Sequence, residues 1–297
     1  MPATHHATTH FFTVDVEEYF QVNAFEPLVP RTQWSSYATR LAYGVDALLE
    51  LLAAHGARGT FFVLGWCADH HPAVVRRIAS AGHEVASHGY WHRRVTTLTP
   101  DEFREDLRAS RRAVEDVTGE KVLGFRAPSF SIVPGLEWAL DILAEEDFAY
   151  DSSLFPIRRT GYGYPTAELH PSILETKGGP LAEFPLATTQ FLGARIPAAG
   201  GGYLRQFPLR VVQRAFREHS AARVPATLYI HPWEVDPDQP RLAVPMLTRI
   251  RHYRGIDRAL PRLKALLQEF RFSDIRSQLL EHSHDLVAPD RHTTVTV

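Results

Sequence analysis

An α/β fold with parallel strands is predicted by three features of the sequence. Short apolar runs alternate with amphipathic stretches of helical period almost from end to end, which favours strands joined by helical crossovers in a barrel or an open sheet. Glycine or proline punctuates most changes of period. Neither G-x-G-x-x-G after the first strand nor G-x-x-x-x-G-K-[ST] anywhere is present, so the nucleotide-binding versions lose weight.

The elements follow in order. Phe11 to Val16 reads as a buried strand that runs into Asp15, Glu17 and Glu18. The proline-bearing loop "FEPLVPRTQWSSY" precedes the helix "YGVDALLELLAAHG", which stops at Gly56. "TFFVLG" is a strand, and "HPAVVRRIASAG" a helix with Pro72 near its start and Gly82 past its end. "HEVASHG" is a strand. "TPDEFREDLRASRRAVEDVTG" opens with a capping box, Thr99 and Glu102, and ends at Gly119. "VLGFRAP", "FAYDSS", "LAEFPLA" and "ATLYIHP" read as further strands, and "GLEWALDILAEED" and "PLRVVQRAFREHS" as helices. The helix "RALPRLKALLQEF" and the short strand "RFSDI" close the series. The expected organisation is a flexible lead (1–10), one domain (11–280) with a C-terminal extension (about 232–280), and a disordered tail (281–297).

Composition excludes several classes. With 297 residues, 44% hydrophobic, the chain can bury a full core without staples. A net charge of −2 points to no nucleic-acid partner and no anionic membrane. The single Cys67 rules out an internal disulfide and fits a reducing compartment. No apolar run reaches a membrane span of roughly 20 residues. The start "MPATHHATTH" lacks the basic flank and apolar core of a secretory signal, so a cytoplasmic location is expected. Of the 16 histidines, those in the lead (His5, His6, His10) and the tail (His282, His284, His292) are expected to carry no metal.

Chemistry-bearing side chains gather where the strands end. The first strand delivers Asp15 and Glu17; the others deliver His88 (with His92 four residues on), Arg126, Asp151 and His231. In a parallel barrel these ends form the active-site rim. Strand alternation puts Thr13, Asp15 and Glu17 on one face. Two such carboxylates repel unless a cation sits beside them. His88 and His92, spaced i, i+4, present both rings on one face of a helical turn, and two imidazoles with one carboxylate suit an open zinc-type site. Alternation favours Glu17 as that carboxylate, with Glu18 its rival if the strand bulges.

The ordered set "TVDVEEYF", "SHGYWH", "FRAPSF", "YDSSLFP" and "LYIH" resembles the polysaccharide deacetylases of the NodB-homology group, carbohydrate esterase family 4. The segments "YFQVNAF", "GGGYLRQFP", "HPWEVDPDQPR" and "RHY" resemble a branch associated with exosortase-linked exopolysaccharide clusters. The resemblance implies a distorted (β/α) barrel of about seven parallel strands and a metal-dependent hydrolase that removes N-acetyl groups from an amino-sugar polysaccharide or its lipid-linked or oligosaccharide precursor. It implies one divalent ion, zinc above all, on Glu17, His88 and His92. Asp15 matches the base, Arg126 the arginine that orients it, His231 the acid and Asp151 the carboxylate that orients His231. Phe130, Tyr203, Arg205 and Trp233 are candidates for substrate contact. The chain departs from the family pattern in D-x-E for D-D and in His88-Gly89 for H-[ST]. The same fold with another substrate, a cyclic amide or imide, is the alternative enzyme, and a non-catalytic glycan-binding relic the alternative binder.

Overall fold

The strand β1 (Thr9–Val16) organises the molecule. In the computed structural model, which describes residues 8–159, 161–281 and 295–296, it is buried along its length and pairs with three other strands. β10 (Thr227–Ile230) lies on one side; β11 (Arg271–Ser273), against Thr9–Phe11, and β2 (Thr60–Val63), against Thr13–Val16, share the other. Beyond β2 come β3 (Glu84–Ser87), β4 (Gly124–Phe125), β5 (Tyr150–Asp151) and β7 (Gly179–Glu183), each parallel to its neighbour. The parallel series is therefore β10-β1-β2-β3-β4-β5-β7, seven strands. A parallel bridge between Leu186, just past β7, and Thr227 of β10 closes the ring. The expected (β/α) barrel of about seven parallel strands is what forms.

Period-two alternation splits β1 between two cores. Phe12, Val14 and Val16 face the helices outside the ring. Phe11 points inward, onto a column made with Phe62, Ala86, Tyr150, Ala182 and Phe184. Its aromatic members meet edge to face, as Phe11 on Phe184 at 5.1 Å and Tyr150 on Phe184 at 5.4 Å. The outer layer includes α1 (Leu41–Ala54), α2 (Gly65–His70), α3 (Pro72–Ser80), α4 (Pro100–Thr118) and α5 (Trp138–Glu145). Both bonds of the expected capping box start α4, and Gly119 at φ +70° ends it. Further helices are α6 (Gly201–Gln206), α7 (Leu209–Ala222), α8 (Met246–Tyr253), α9 (Ala259–Glu269) and α10 (Ile275–Glu281). α10 plugs the foot of the ring. Ile275 joins the inner column, and the Ile275 and Arg276 amides bond Thr60 Oγ1 (2.9 Å) and the buried Glu84 (2.9 Å).

Several expectations need correction. The expected lead of 1–10 fails at its end, because β1 begins at Thr9 and His10 is fully buried; residues 1–7 lie outside the described residues. The His10 ring packs edge-on to Phe216, and its two nitrogens bond Ser220 Oγ (2.9 Å) and the Ala226 amide (3.1 Å). A neutral imidazole with both nitrogens paired fits a core, so the polar reading of this position fails. The hairpins β6 (Ser172–Thr176) with β7, and β8 (Thr188–Phe191) with β9 (Ala194–Pro197), add antiparallel pairs outside the ring. Of the expected disordered tail, β12 (Val295–Thr296) pairs with β6; residues 282–294 lie outside the described residues. Among the described residues, no helix is long and apolar enough to cross a membrane.

Candidate active site

The inward face of β1 reaches the C-terminal mouth of the ring at Asp15. Its carboxylate is aimed by Arg126, which follows β4 and is fully buried. Arg126 donates to Asp15 Oδ1 (2.8 Å) and Thr13 Oγ1 (2.6 Å) on β1. It also donates to the Ser152 carbonyl (2.9 Å) and hydroxyl (2.7 Å) beyond β5, and its guanidinium lies 4.1 Å from the centre of the Phe62 ring. A planar fork with this many partners has one orientation.

β1 ends at Val16, and the Glu17 amide bonds back to the Asp15 carbonyl (3.1 Å), a three-residue turn. Thus the turn, rather than continued alternation, brings the Glu17 carboxylate beside Asp15. Glu18 leaves the site: it accepts from the Thr39 hydroxyl and from the Arg40 (3.1 Å) and Leu41 (3.2 Å) amides at the start of α1.

Donor atoms of Glu17, His88 and His92 lie within 4.8 Å of one another, and all three residues are buried. Each imidazole is fixed from behind. His88 Nδ1 donates to the Arg126 carbonyl (2.8 Å) and His92 Nδ1 to Asn23 Oδ1 (3.1 Å), leaving their Nε2 lone pairs free. His92 Nε2 stands 2.7 Å from Glu17 Oε2, a buried oxygen with no hydrogen-bond partner. Lone pairs converging so closely suit a cation, and this donor set fits zinc. Burial favours a neutral Glu17, but His92, His231 and His88 outweigh it and hold its pKa down to about 2. Burial lowers His88 to about 4, keeping it a neutral ligand.

The segment from His88 to His92 is a loop, not the expected helical turn. Gly89 sits at φ +73° and His92 at φ +51°. A side chain at Gly89 would come within 2.8 Å of Asp106 Oδ2, which accepts the Tyr90 amide at 2.7 Å. The missing family hydroxyl is therefore a requirement of this backbone.

His231 reaches the same mouth, beside Asp15 and Glu17. Its Nε2 is 3.9 Å from Asp15 Oδ2 and 3.6 Å from Glu17 Oε1, and its Nδ1 is 2.8 Å from Glu234 Oε2. Burial would lower its pKa, but Glu234, Glu17 and Asp15 together raise it to about 9. Burial would raise Glu234; Arg205 and His231 bring it to about 2.

Three sequence expectations change here. Asp151 does not orient His231: its carboxylate accepts from the Ser153 amide (3.1 Å) and hydroxyl (2.5 Å) and lies against Glu183, while Glu234 occupies His231 Nδ1. Burial first, and then the neighbouring Asp151 carboxylate, push the Glu183 pKa well up, which favours its neutral form. Arg205 does not reach out for substrate, because it is 2% exposed and its Nε is 2.5 Å from Glu234 Oε1. Trp233 is no open stacking platform: its ring lies between His231 (5.0 Å) and His252 (4.2 Å), and Nε1 donates to Glu17 Oε1 (3.1 Å). All four expected contact residues, Phe130, Tyr203, Arg205 and Trp233, border the cavity, which measures about 370 Å³, Arg205 and Trp233 as buried side chains of its wall; Tyr203 shares a hydroxyl bond with Tyr162 (2.6 Å). Sequence reasoning missed Asn23, Glu234 and His252. Only Glu234 carries a signal, its place three residues after His231, one helical turn on.

A seven-stranded parallel ring with these side chains at its mouth defines the NodB-type (β/α) barrels. The crystal structure of a Mycobacterium smegmatis protein designated a polysaccharide deacetylase has the same fold: TM-score 0.65, 23% identity, 99% of this chain and 97% of that one. Residues 41–138 match the polysaccharide deacetylase family, and residues 152–280 match a domain of unknown function, DUF3473. The match to the polysaccharide deacetylase family is thus confined to residues 41–138, less than half of the chain. A peptidoglycan deacetylase-like protein of Gibberella zeae is 33% identical over 113 residues, 37% of this chain and 32% of that protein. A peptidoglycan-N-acetylglucosamine deacetylase of Bacillus cereus is 30% identical over 95 residues, 32% of this chain and 34% of that enzyme. The chain thus spans about a third of the length of these two relatives.

Proposed function

We propose that this chain hydrolyses the acetamide of N-acetylated amino sugars in a polysaccharide, or in its lipid-linked or oligosaccharide precursor, with one divalent ion, zinc above all, held by Glu17, His88 and His92. The reading places that polymer in exopolysaccharide synthesis, supported by the extensions beyond the deacetylase motifs. The carrying observation is the convergence of three lone-pair donors within 4.8 Å beside an arginine-held Asp15, with His231 Nε2 next to Asp15 and Glu17.

When bound, the ion would polarise the acetyl carbonyl and lower the pKa of water. The rest belongs to the chain. Asp15, held by Arg126, accepts the proton of the attacking water. The Trp233 indole bonds one oxygen of Glu17 and leaves the other to the ion. His231, charged below about 9, donates from Nε2 to the leaving amine, which departs poorly unless protonated. Phe130 and Tyr203 supply apolar and hydroxyl wall to the sugar.

Acetate release from a panel of N-acetylated glycans, with and without chelator, tests this. Chelator-sensitive release from at least one glycan, lost in Asp15→Asn, is expected. Hydrolysis of a small cyclic amide with no acetate release from any glycan would replace it with the imidase reading.

A further inference from the structure

We propose that the 152–280 segment, a domain of unknown function by its family match, supplies the leaving-group half of the site. In it, Arg205 and Glu234 form a positioning relay that holds His231 with Nε2 toward the scissile nitrogen. This rests on the deacetylase reading above.

Glu234 Oε2 meets both the Nδ1 (2.8 Å) and the backbone amide (3.2 Å) of His231. One oxygen thus fixes the ring and the main chain of the same residue. Its other oxygen holds Arg205 Nε at 2.5 Å. The remaining guanidinium N–H groups go to the His252 (2.8 Å), Arg254 (2.7 Å) and Arg251 (3.3 Å) carbonyls, around the C-terminal end of α8. Those carbonyls have few other partners at a helix end.

A fully buried ion pair is a poor stabiliser, since desolvation of both charges offsets their attraction. Stability alone therefore does not account for Arg205 and Glu234. Their geometric result is a defined imidazole. Nδ1–H is committed to Glu234, so the proton that comes and goes is the one on Nε2, on the side of Asp15 and Glu17. Trp233 stacks on the ring at 22° and is itself backed by His252 at 18°, which fixes the plane. His231, Trp233, Glu234, Arg205 and His252 all fall within 152–280, whereas His88, His92 and Arg126 fall within 41–138. The orienting carboxylate has moved from the end of β5, where Asp151 is engaged with Ser153 and Glu183, to the turn after β10.

The step balances as follows. As the tetrahedral adduct collapses, the C–N bond breaks and its electron pair stays on nitrogen. Nitrogen takes the Nε2 proton of His231, acetate leaves, and the neutral ring keeps Nδ1–H on Glu234.

The test compares turnover of an N-acetylated amide with that of an activated aryl acetate, whose leaving group needs no proton. Glu234→Gln is expected to lose about 10²-fold or more on the amide and less than about tenfold on the ester, with metal content unchanged. Glu234→Asp, which keeps the charge, should recover part of the amide rate. It carries the same comparison if the Gln variant fails to fold. Independently of activity, a downfield imidazole N–H proton resonance absent in His231→Ala should also vanish in Glu234→Gln. Equal losses on amide and ester, or persistence of that resonance, would overturn the relay. No amide turnover by the wild type would instead overturn the deacetylase reading and leave the resonance test standing.

Discussion

Glu17 and Glu18 are adjacent, identical and buried, yet one faces two imidazoles and the other the first amides of α1. Glu17→Ala should abolish metal retention, read by elemental analysis. Glu18→Ala should keep the metal and cost about 1 kcal/mol or more of stability, as loss of a helix cap does. The reverse ranking would refute the proposed ligand set. His10 gives a second residue-level outcome. Burial, with His219 nearby, lowers its pKa to about 3 from an unfolded value of 6.5. Because the folded value is the lower one, stability is full above 6.5 and falls as pH drops toward 3. Between pH 7 and 5 this amounts to about 2 kcal/mol. His10→Gln should flatten that part of a melting-temperature profile; an unchanged slope would assign it to other groups. At this scale the sequence exposed the acids and histidines at strand ends, since residue type and period are local. It could not expose His10 as core, nor Glu234 as the partner of His231, because both depend on what distant strands bring alongside.

The loop from His88 to His92 carries the element-scale lesson. Spacing alone suggested a helical turn, but Gly89 and His92 adopt positive φ and the amide of Tyr90 belongs to Asp106. Gly89→Ser, which restores the usual family hydroxyl, should weaken the site. Its side chain must displace Asp106, and a left-handed backbone costs an L-residue about 1–2 kcal/mol. A lower melting temperature and weaker zinc binding in a competition titration are expected; tighter binding would contradict the steric account. Helices with caps were legible, as Thr99, Glu102 and Gly119 of α4 illustrate. Two-residue strands such as β4 and β5 were legible as type but not as length. The β8–β9 hairpin and α6 were not anticipated; α6 begins where Gly200, at φ +135°, lets the chain pass against the Tyr229 carbonyl, which a Cβ would approach within 1.9 Å.

At the scale of the whole molecule, neither matched segment is a closed body. β2, β3 and β4 fall in the first, β7, β10 and β11 in the second, and β1 precedes both. A chain cut before α10 should therefore lose more than a terminal helix: the foot of the ring would open at Ile275, and Glu84, Thr60 and Tyr150 would lose their lid. Truncation after Asp274 is expected to lower the melting temperature by several degrees; an unchanged transition would show that the inner column closes by itself. The Arg126 fork carries a mechanical consequence beyond its charge. β3, β4 and β5 are joined by only one or two residue pairs each, and this side chain ties Ser152, beyond β5, to Thr13 and Asp15 across the interior. It acts as a spoke. In Arg126→Lys, deuterium should enter the amides of β4 and β5 sooner while those of β1 and β2 keep their protection, so that part of the lost turnover would reflect a wheel running out of true.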